Sequence, residues 1–233
     1  MRPAGDRRTR GTRPAALVLV AGTGTEVGKT WISARLVEQW RRSGLAAAAR
    51  KPAQSYEVGE KPTDAEVLAA ATGEDPLVVC PPAHSYPVAL APPMAASVLG
   101  LPVPSIADLL GGLAWPDGPV DVGLVETAGG VRSPQADDGD VIDLASALGP
   151  DHIVLVADAG LGTINAVRLS TAALAAPGLP STTVVLNRFD QSSELHRRNL
   201  EWLRDVDGLC VVAAASPGIE SVARSLSLAQ RRQ

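Results

Sequence analysis

The chain has 233 residues, 45% hydrophobic and 20% charged, with a formal net charge of −4, enough apolar content to bury one sizeable core. An acidic balance with only 3% aromatic residues supplies neither a basic field for nucleic-acid phosphates nor platforms for stacked bases, which argues against a nucleic-acid partner. Cys80 and Cys210 stand far apart and His84, His152 and His196 are scattered, so the spacing offers no zinc site and no disulfide framework, and a cytoplasmic location is expected.

Residues 1–14 carry Arg2, Arg7, Arg8, Arg10 and Arg13 among Gly, Pro and Thr and are expected to form a mobile tail ahead of a single domain over 15–233. The apolar run from Ala15 to Val20 is too short for a signal-peptide core or a membrane span. It leads into Ala21-Gly22-Thr23-Gly24-Thr25-Glu26-Val27-Gly28-Lys29-Thr30, and a strand, a glycine loop, Gly-Lys-Thr and a helical pattern in that order describe a phosphate-binding P-loop. Glycines let backbone N–H groups converge on phosphate oxygens at the positive end of the following helix. Lys29 would reach the outer phosphates, and the Thr30 hydroxyl suits magnesium. A strict P-loop has glycine five residues before Gly28, where this chain has Thr23 between Gly22 and Gly24. A plain glycine-rich turn is the bland alternative, disfavoured by the strand and helix on either side.

Ile32, Leu36 and Trp40 recur at helical spacing over Trp31–Arg42, which Gly44 ends. Leu45–Arg50 reads as a second buried strand running into Lys51-Pro52. Lysine at the carboxyl end of a strand is a candidate second cation for a transferring phosphoryl group; a solvated surface lysine is the competing expectation. Residues 53–62 read as a polar loop, and Thr63-Asp64-Ala65-Glu66 as a capping box opening a helix, where Asp64 by itself is ordinary complementation of the helix dipole. The proline-rich stretch 75–104 reads as irregular and as a candidate binding loop, with a short helix over Met94–Leu99 entered through Pro92-Pro93. Ser105 caps a helix to about Ala114, and Val120–Glu126 is a third strand. Its terminal Glu126, followed by Thr127-Ala128-Gly129-Gly130, is placed like a second magnesium contact beside a P-loop.

Asp137, Asp138, Asp140 and Asp143 lack EF-hand spacing and read as a solvated loop and helix start. Ile153–Ala157 is a fourth strand; Gly160-Leu161-Gly162-Thr163 then offers a second anion-binding niche at the start of a helix to about Ala175. A fifth strand, Thr182–Leu186, ends in Asn187-Arg188-Phe189-Asp190, a helix follows over 194–204, Leu209–Ala214 is a sixth strand, and a last helix runs from Ile219 after Ser216-Pro217-Gly218. This alternation predicts an α/β fold of the P-loop NTPase type, a doubly wound, mainly parallel sheet with helices on both faces.

Taken together, Gly22 to Thr30, Lys51-Pro52 with Ser55, Asp64, Val125-Glu126 through Gly130, Leu161 to Asn165 and Asn187 resemble the dethiobiotin synthetase family in order and spacing over about residues 15–220. The extra residue between glycines that makes Thr23 anomalous in a generic P-loop is a feature of that family. The resemblance implies an ATP-dependent ligase that closes the ureido ring of dethiobiotin from 7,8-diaminononanoate and CO2, through a carbamate and a phosphorylated carbamate, in biotin biosynthesis. It assigns catalysis to Lys51, Lys29 and Thr25, and nucleotide binding to Gly24, Thr25, Glu26, Val27, Gly28, Lys29, Thr30, Asn187, Pro217 and Ile219. Magnesium would fall to Thr30, Asp64 and Glu126. The substrate would be held by Ser55, Gly129 and, at the helix start, Gly162, Thr163, Ile164 and Asn165, the last group coming from the neighbouring subunit of a homodimer.

Tyr56 and Thr127 stand where the family commonly has glycine, which puts substrate identity in question. The Asn187–Asp190 stretch also approximates a guanine-reading signature, so ATP is expected with GTP as the alternative. Competing functions are a related P-loop ligase for another small amine or carboxylate, a small-molecule kinase, and a partition-type ATPase switch. The switch is disfavoured because no lysine lies between Thr23 and Val27 and because residues 219–233 lack the apolar bulk of a membrane-binding helix.

Overall fold

The computed structural model describes residues 12–59, 61–175, 178–215 and 217–228. Its strands are β1 (Ala16–Gly22), β2 (Ala47–Arg50), β3 (Gln54–Ser55), β4 (Ser85–Tyr86), β5 (Val122–Glu126), β6 (Pro134–Ala136), β7 (Gly139–Asp140), β8 (His152–Asp158), β9 (Thr182–Asn187) and β10 (Val211–Ala213). The helices are α1 (Lys29–Arg42), α2 (Asp64–Thr72), α3 (Pro76–Val79), α4 (Pro92–Val98), α5 (Ile106–Gly111), α6 (Val141–Leu148), α7 (Thr163–Leu174), α8 (Glu194–Glu201) and α9 (Gly218–Leu228).

Six strands form one sheet in the order β10-β9-β8-β1-β5-β2, with every neighbouring pair parallel. Strands buried on both faces carry apolar runs, as β1 and β5 do at every position but Gly22, Gly123 and Glu126. One face packs Val18, Val20, Leu124 and Val154 against Ile32, Leu36 and Trp40 of α1, Leu68 of α2 and Val222 of α9. On the other, Leu17, Leu19, Val125 and Leu155 meet Val141 of α6, Val167 and Leu174 of α7 and Leu203. The predicted doubly wound α/β fold is therefore present, with the strand order reversing about β1. Among the described residues no helix is long and apolar enough to cross a membrane.

Several elements differ from the sequence-based expectation. The polar loop at 53–62 contains β3, which pairs in parallel with β4 out of the proline-rich stretch; two-residue strands carry no periodicity to detect. That stretch also holds α3, begun by Pro76 with Asp75 as its cap, and α4, begun at Pro92 rather than Met94, because proline's missing N–H costs nothing in a first turn. The helix expected over 194–204 ends at Glu201 and continues as a π turn, Trp202–Val206. Of the expected tail, residues 1–11 lie outside the described residues; Arg13 donates to Asp151 Oδ2 at 3.0 Å, and Pro14 is buried.

Candidate active site

Parallel strands deliver their carboxyl ends to one edge, and the register sets which loops leave side by side. Val20 of β1 lies opposite Glu126 of β5, and Arg50 of β2 opposite Val125, so the P-loop, Lys51 and Glu126 emerge together. Asp64 joins them from the first turn of α2. That turn is fixed by a complete Thr63–Glu66 capping box and by Gln54, whose Oε1 accepts from Ala65 N at 2.9 Å.

The four groups meet in one polar cluster. Lys51 Nζ is 2.7 Å from Asp64 Oδ2 and 2.7 Å from Glu126 Oε1, and it donates to Thr127 O at 3.3 Å. Thr30 Oγ1 lies 2.7 Å from Asp64 Oδ1 and 2.9 Å from Glu126 Oε1, one hydroxyl proton facing two acceptors. Lys51 and Glu126 are fully buried, which rules out the solvated lysine as an account of position 51. Glu126 Oε2 is buried with no hydrogen-bond partner, and an orphaned carboxylate oxygen in such a place calls for a cation.

Burial alone would lower the Lys51 ammonium, but the Asp64 and Glu126 carboxylates outweigh it and hold Lys51 above the ordinary lysine range. Burial alone would raise Asp64; the charge and hydrogen bond of Lys51, the Thr30 hydroxyl and Lys29 bring it down to about 2. Lys29 has no such partner: burial, then repulsion from Lys51, lower it to about 8 against the pull of Glu126 and Asp64. Its Nζ donates to Gly24 O at 3.0 Å, a weak substitute for an anion. The cluster thus holds one lysine saturated by carboxylates and one short of negative charge.

Beside the P-loop is a cavity of about 460 Å³ lined by Gly28, Trp31, Asn187, Arg188, Phe189, Ala214 and Ala215. Gly28 has φ +90°, and a Cβ there would stand 2.0 Å from Asn187 Nδ2, so a side chain would strain the backbone and displace Asn187. Asn187 Nδ2 donates to Val27 O at 3.0 Å. Arg188 pairs with Asp158 Oδ2 at 2.8 Å and donates to Glu26 O at 2.8 Å. Pro217 is exposed and Ile219 packs in the core; the cavity wall at that end is Ala214 and Ala215 instead. Asp190 does not line the cavity, and its Oδ1 accepts from Ser192 N and Oγ at 2.8 and 2.7 Å. Of the four residues Asn187 to Asp190, the first three line the cavity and Asp190 does not.

The remaining expected residues divide into two groups. Thr25 and Glu26 are exposed on the loop. Gly129, at φ +65°, lies across from Thr25, whose Oγ1 would be 3.9 Å from an added Cβ. Ser55 presents a buried Oγ without a partner. Gly162 caps α7, Thr163 Oγ1 is buried and unpartnered, and Ile164 and Asn165 follow on the first turn; no hydrogen bond among the described residues joins this group to the Lys51 cluster. Thr127, one of the two residues in the glycine positions, is fully buried with its hydroxyl on Val20 O at 3.3 Å. Tyr56, the other, lines a second cavity of about 300 Å³ with Gln54, Thr63, Glu66 and Cys80.

The sequence offered no signal for Gln54 or for Gln135, which holds the loop after Glu126 by accepting from Ala128 N at 3.0 Å and donating to Ala128 O at 2.8 Å and Ser133 O at 3.1 Å. A glutamine in a polar segment reads the same whether it clamps a backbone or faces water. Trp31, Ala214 and Ala215 likewise carry no sequence signal of a place beside the cavity.

A family model described as an AAA domain matches residues 17–223. The ATP-dependent dethiobiotin synthetase BioD of Anaeromyxobacter sp. is 42% identical over 173 residues, covering 73% of this chain and 76% of that protein. The protein of the same description from Rhodococcus jostii is 37% identical over 205 residues, 87% of each. Among solved structures, a putative plasmid partition protein from Borrelia burgdorferi bound to AMPPNP superposes with a TM-score of 0.54 at 12% identity, covering 95% of this chain and 99% of that one. Chloroplast FtsY from Physcomitrella patens gives 0.53 at 17% identity over 94% of this chain and 66% of the other. At those identities the two structures share the fold and no more.

Proposed function

The chain belongs to the ATP-dependent dethiobiotin synthetase family, and from that premise we propose that it closes the ureido ring of dethiobiotin from 7,8-diaminononanoate, CO2 and ATP, a C–N-forming ligase step in biotin biosynthesis. One observation carries the reading at the level of geometry: a second buried lysine, Lys51, beside the P-loop lysine and locked to the carboxylates of Asp64 and Glu126. A carbamate brought to the γ-phosphate adds negative charge that must be met, and Lys51 stands where it can meet it.

In the reaction, one amine of the substrate adds to CO2 and loses a proton to give the carbamate. A carbamate oxygen then attacks the γ-phosphorus as the bond to ADP breaks, and the second amine attacks the resulting carbonyl, closing the ring and expelling phosphate. The protein's part is positioning and neutralisation. Lys29, short of negative charge, takes the phosphate oxygens, and Lys51 meets the carbamate, with Thr25 and Ser55 as hydrogen-bonding partners and Gly129 leaving room for the diamine. Gly24 to Thr30 cradle the phosphates, and Asn187, with Pro217 and Ile219 nearby, serves the nucleotide base. Thr30, Asp64 and Glu126 offer an all-oxygen donor set with one buried oxygen unpartnered, which fits magnesium; bound there it would neutralise phosphate charge. ATP rather than GTP is supported by the commitment of Asp190 to Ser192.

The enzyme would act as a cytoplasmic homodimer in which Gly162, Thr163, Ile164 and Asn165 of one subunit receive the distant substrate carboxylate bound at the other. The exposure of Leu161 beside them, 92% in the isolated chain, supports a covered surface there. Incubation with magnesium, ATP, bicarbonate and the diamine should yield dethiobiotin by mass, and the product should vanish when either bicarbonate or diamine is omitted. ADP formed without bicarbonate would favour a kinase, and nucleotide binding without product a ligase for another amine.

A further inference from the structure

Trp31 directly follows the P-loop threonine, and its indole borders the 460 Å³ cavity beside Gly28 and Asn187. The same helix shows what a structural tryptophan looks like: Trp40 is buried and its Nε1 donates to Ala223 O at 2.9 Å. Trp31 is 47% exposed and belongs to neither core cluster of the sheet. The guanidinium of Arg35, one turn on, lies over its ring at 5.5 Å, and Arg35 is itself paired with Glu38 at 3.2 Å, so the indole is braced in place. The chain has four tryptophans and one phenylalanine, and one of those tryptophans and that phenylalanine, Phe189, share this cavity.

Two of the cavity's polar side chains already hold partners within the chain. The Asn187 amide nitrogen is bound to Val27 O, and the Arg188 guanidinium to Asp158 and Glu26 O. What the walls still offer a flat heteroaromatic ring is mainly apolar and aromatic surface, which binds by stacking and tolerates different ring edges. We propose that Trp31 is a base-binding residue for the nucleotide, holding the base by stacking, with Phe189 as a second aromatic wall. This rests on the nucleotide reading of the P-loop given above.

The test compares binding of magnesium-ATP and of inorganic tripolyphosphate, which has the phosphates and no base, to the full chain and to two variants. Stacking predicts that Trp31→Ala weakens ATP by about tenfold or more while changing tripolyphosphate by less than about twofold, and that Trp31→Phe keeps most of the ATP affinity. Tryptophan emission of the wild type should be quenched by ATP and left alone by tripolyphosphate. Unchanged ATP affinity in Trp31→Ala, or an equal loss for both ligands, would overturn the assignment while leaving the P-loop function intact. A wild type that binds neither ligand would overturn both.

Discussion

Lys51 sits in the buried cluster as a counter-charge to Asp64 and Glu126, and among the described residues Glu126 makes no other ion pair. Removing one partner of a buried charge pair leaves the other uncompensated, at a cost of about 3–5 kcal/mol. Lys51→Met should therefore lower the thermal unfolding midpoint in EDTA and abolish dethiobiotin formation. The same two carboxylates and Thr30 then form an all-oxygen site with no internal cation in it, so Mn2+ should raise the midpoint of the variant well above its effect on the wild type, where Lys51 competes. Equal stabilisation of both proteins by Mn2+ would mean that Lys51 and the metal do not share these carboxylates. From sequence alone position 51 allowed a solvated lysine, because residue type does not reveal burial; only the strand register that sets Arg50 against Val125 decides it.

The elements that build the site are held in place by side chains acting on backbone. Gln135 spans the loop after β5 through Ala128 N, Ala128 O and Ser133 O, and that loop carries Gly129 and the carbonyl that accepts from Lys51. Gln135→Ala strands these groups at a cost of about 1–3 kcal/mol. Its kinetic signature should be a KM for the diamine that rises while the KM for ATP holds, measured by dethiobiotin formation at varied substrate; a parallel rise in both would make Gln135 a general stabiliser only. Much of this layer was legible beforehand. Strands buried on two faces print continuous apolar runs, and the Thr63–Glu66 and Ser105 caps are local chemistry that the structure reproduces as full capping boxes. The β3–β4 pair and the π turn at 202–206 were not, since two residues carry no period and a π turn differs from an α turn only in hydrogen-bond partner. Ala214 and Ala215 enter the cavity through backbone course, for which no residue type is a signal.

At the scale of the whole molecule, the proposed homodimer has each chain complete its partner's site. The α7 start at Gly162–Asn165 shares the carboxyl edge of the sheet with the P-loop, yet among the described residues no hydrogen bond ties it to the Lys51 cluster, and Leu161, Leu169, Trp202 and Val206 nearby in fold or sequence expose apolar surface. A two-fold dimer would bury such surface and bring each α7 start to its partner's phosphate site, since an isologous contact places the same patch on both subunits. Complementation separates this arrangement from a self-contained site. Lys51→Met disables the phosphoryl-transfer half, and Asn165→Asp puts a negative charge where the substrate carboxylate arrives. Each homodimer should be inactive when made alone. Co-expressed, half the dimers are mixed and each has one site with both halves intact, so dethiobiotin formation should recover to about a quarter of the wild-type rate per chain. No recovery, with mixed dimers verified by differential tagging, would assign both halves to a single chain, since every chain then carries one lesion in its own site.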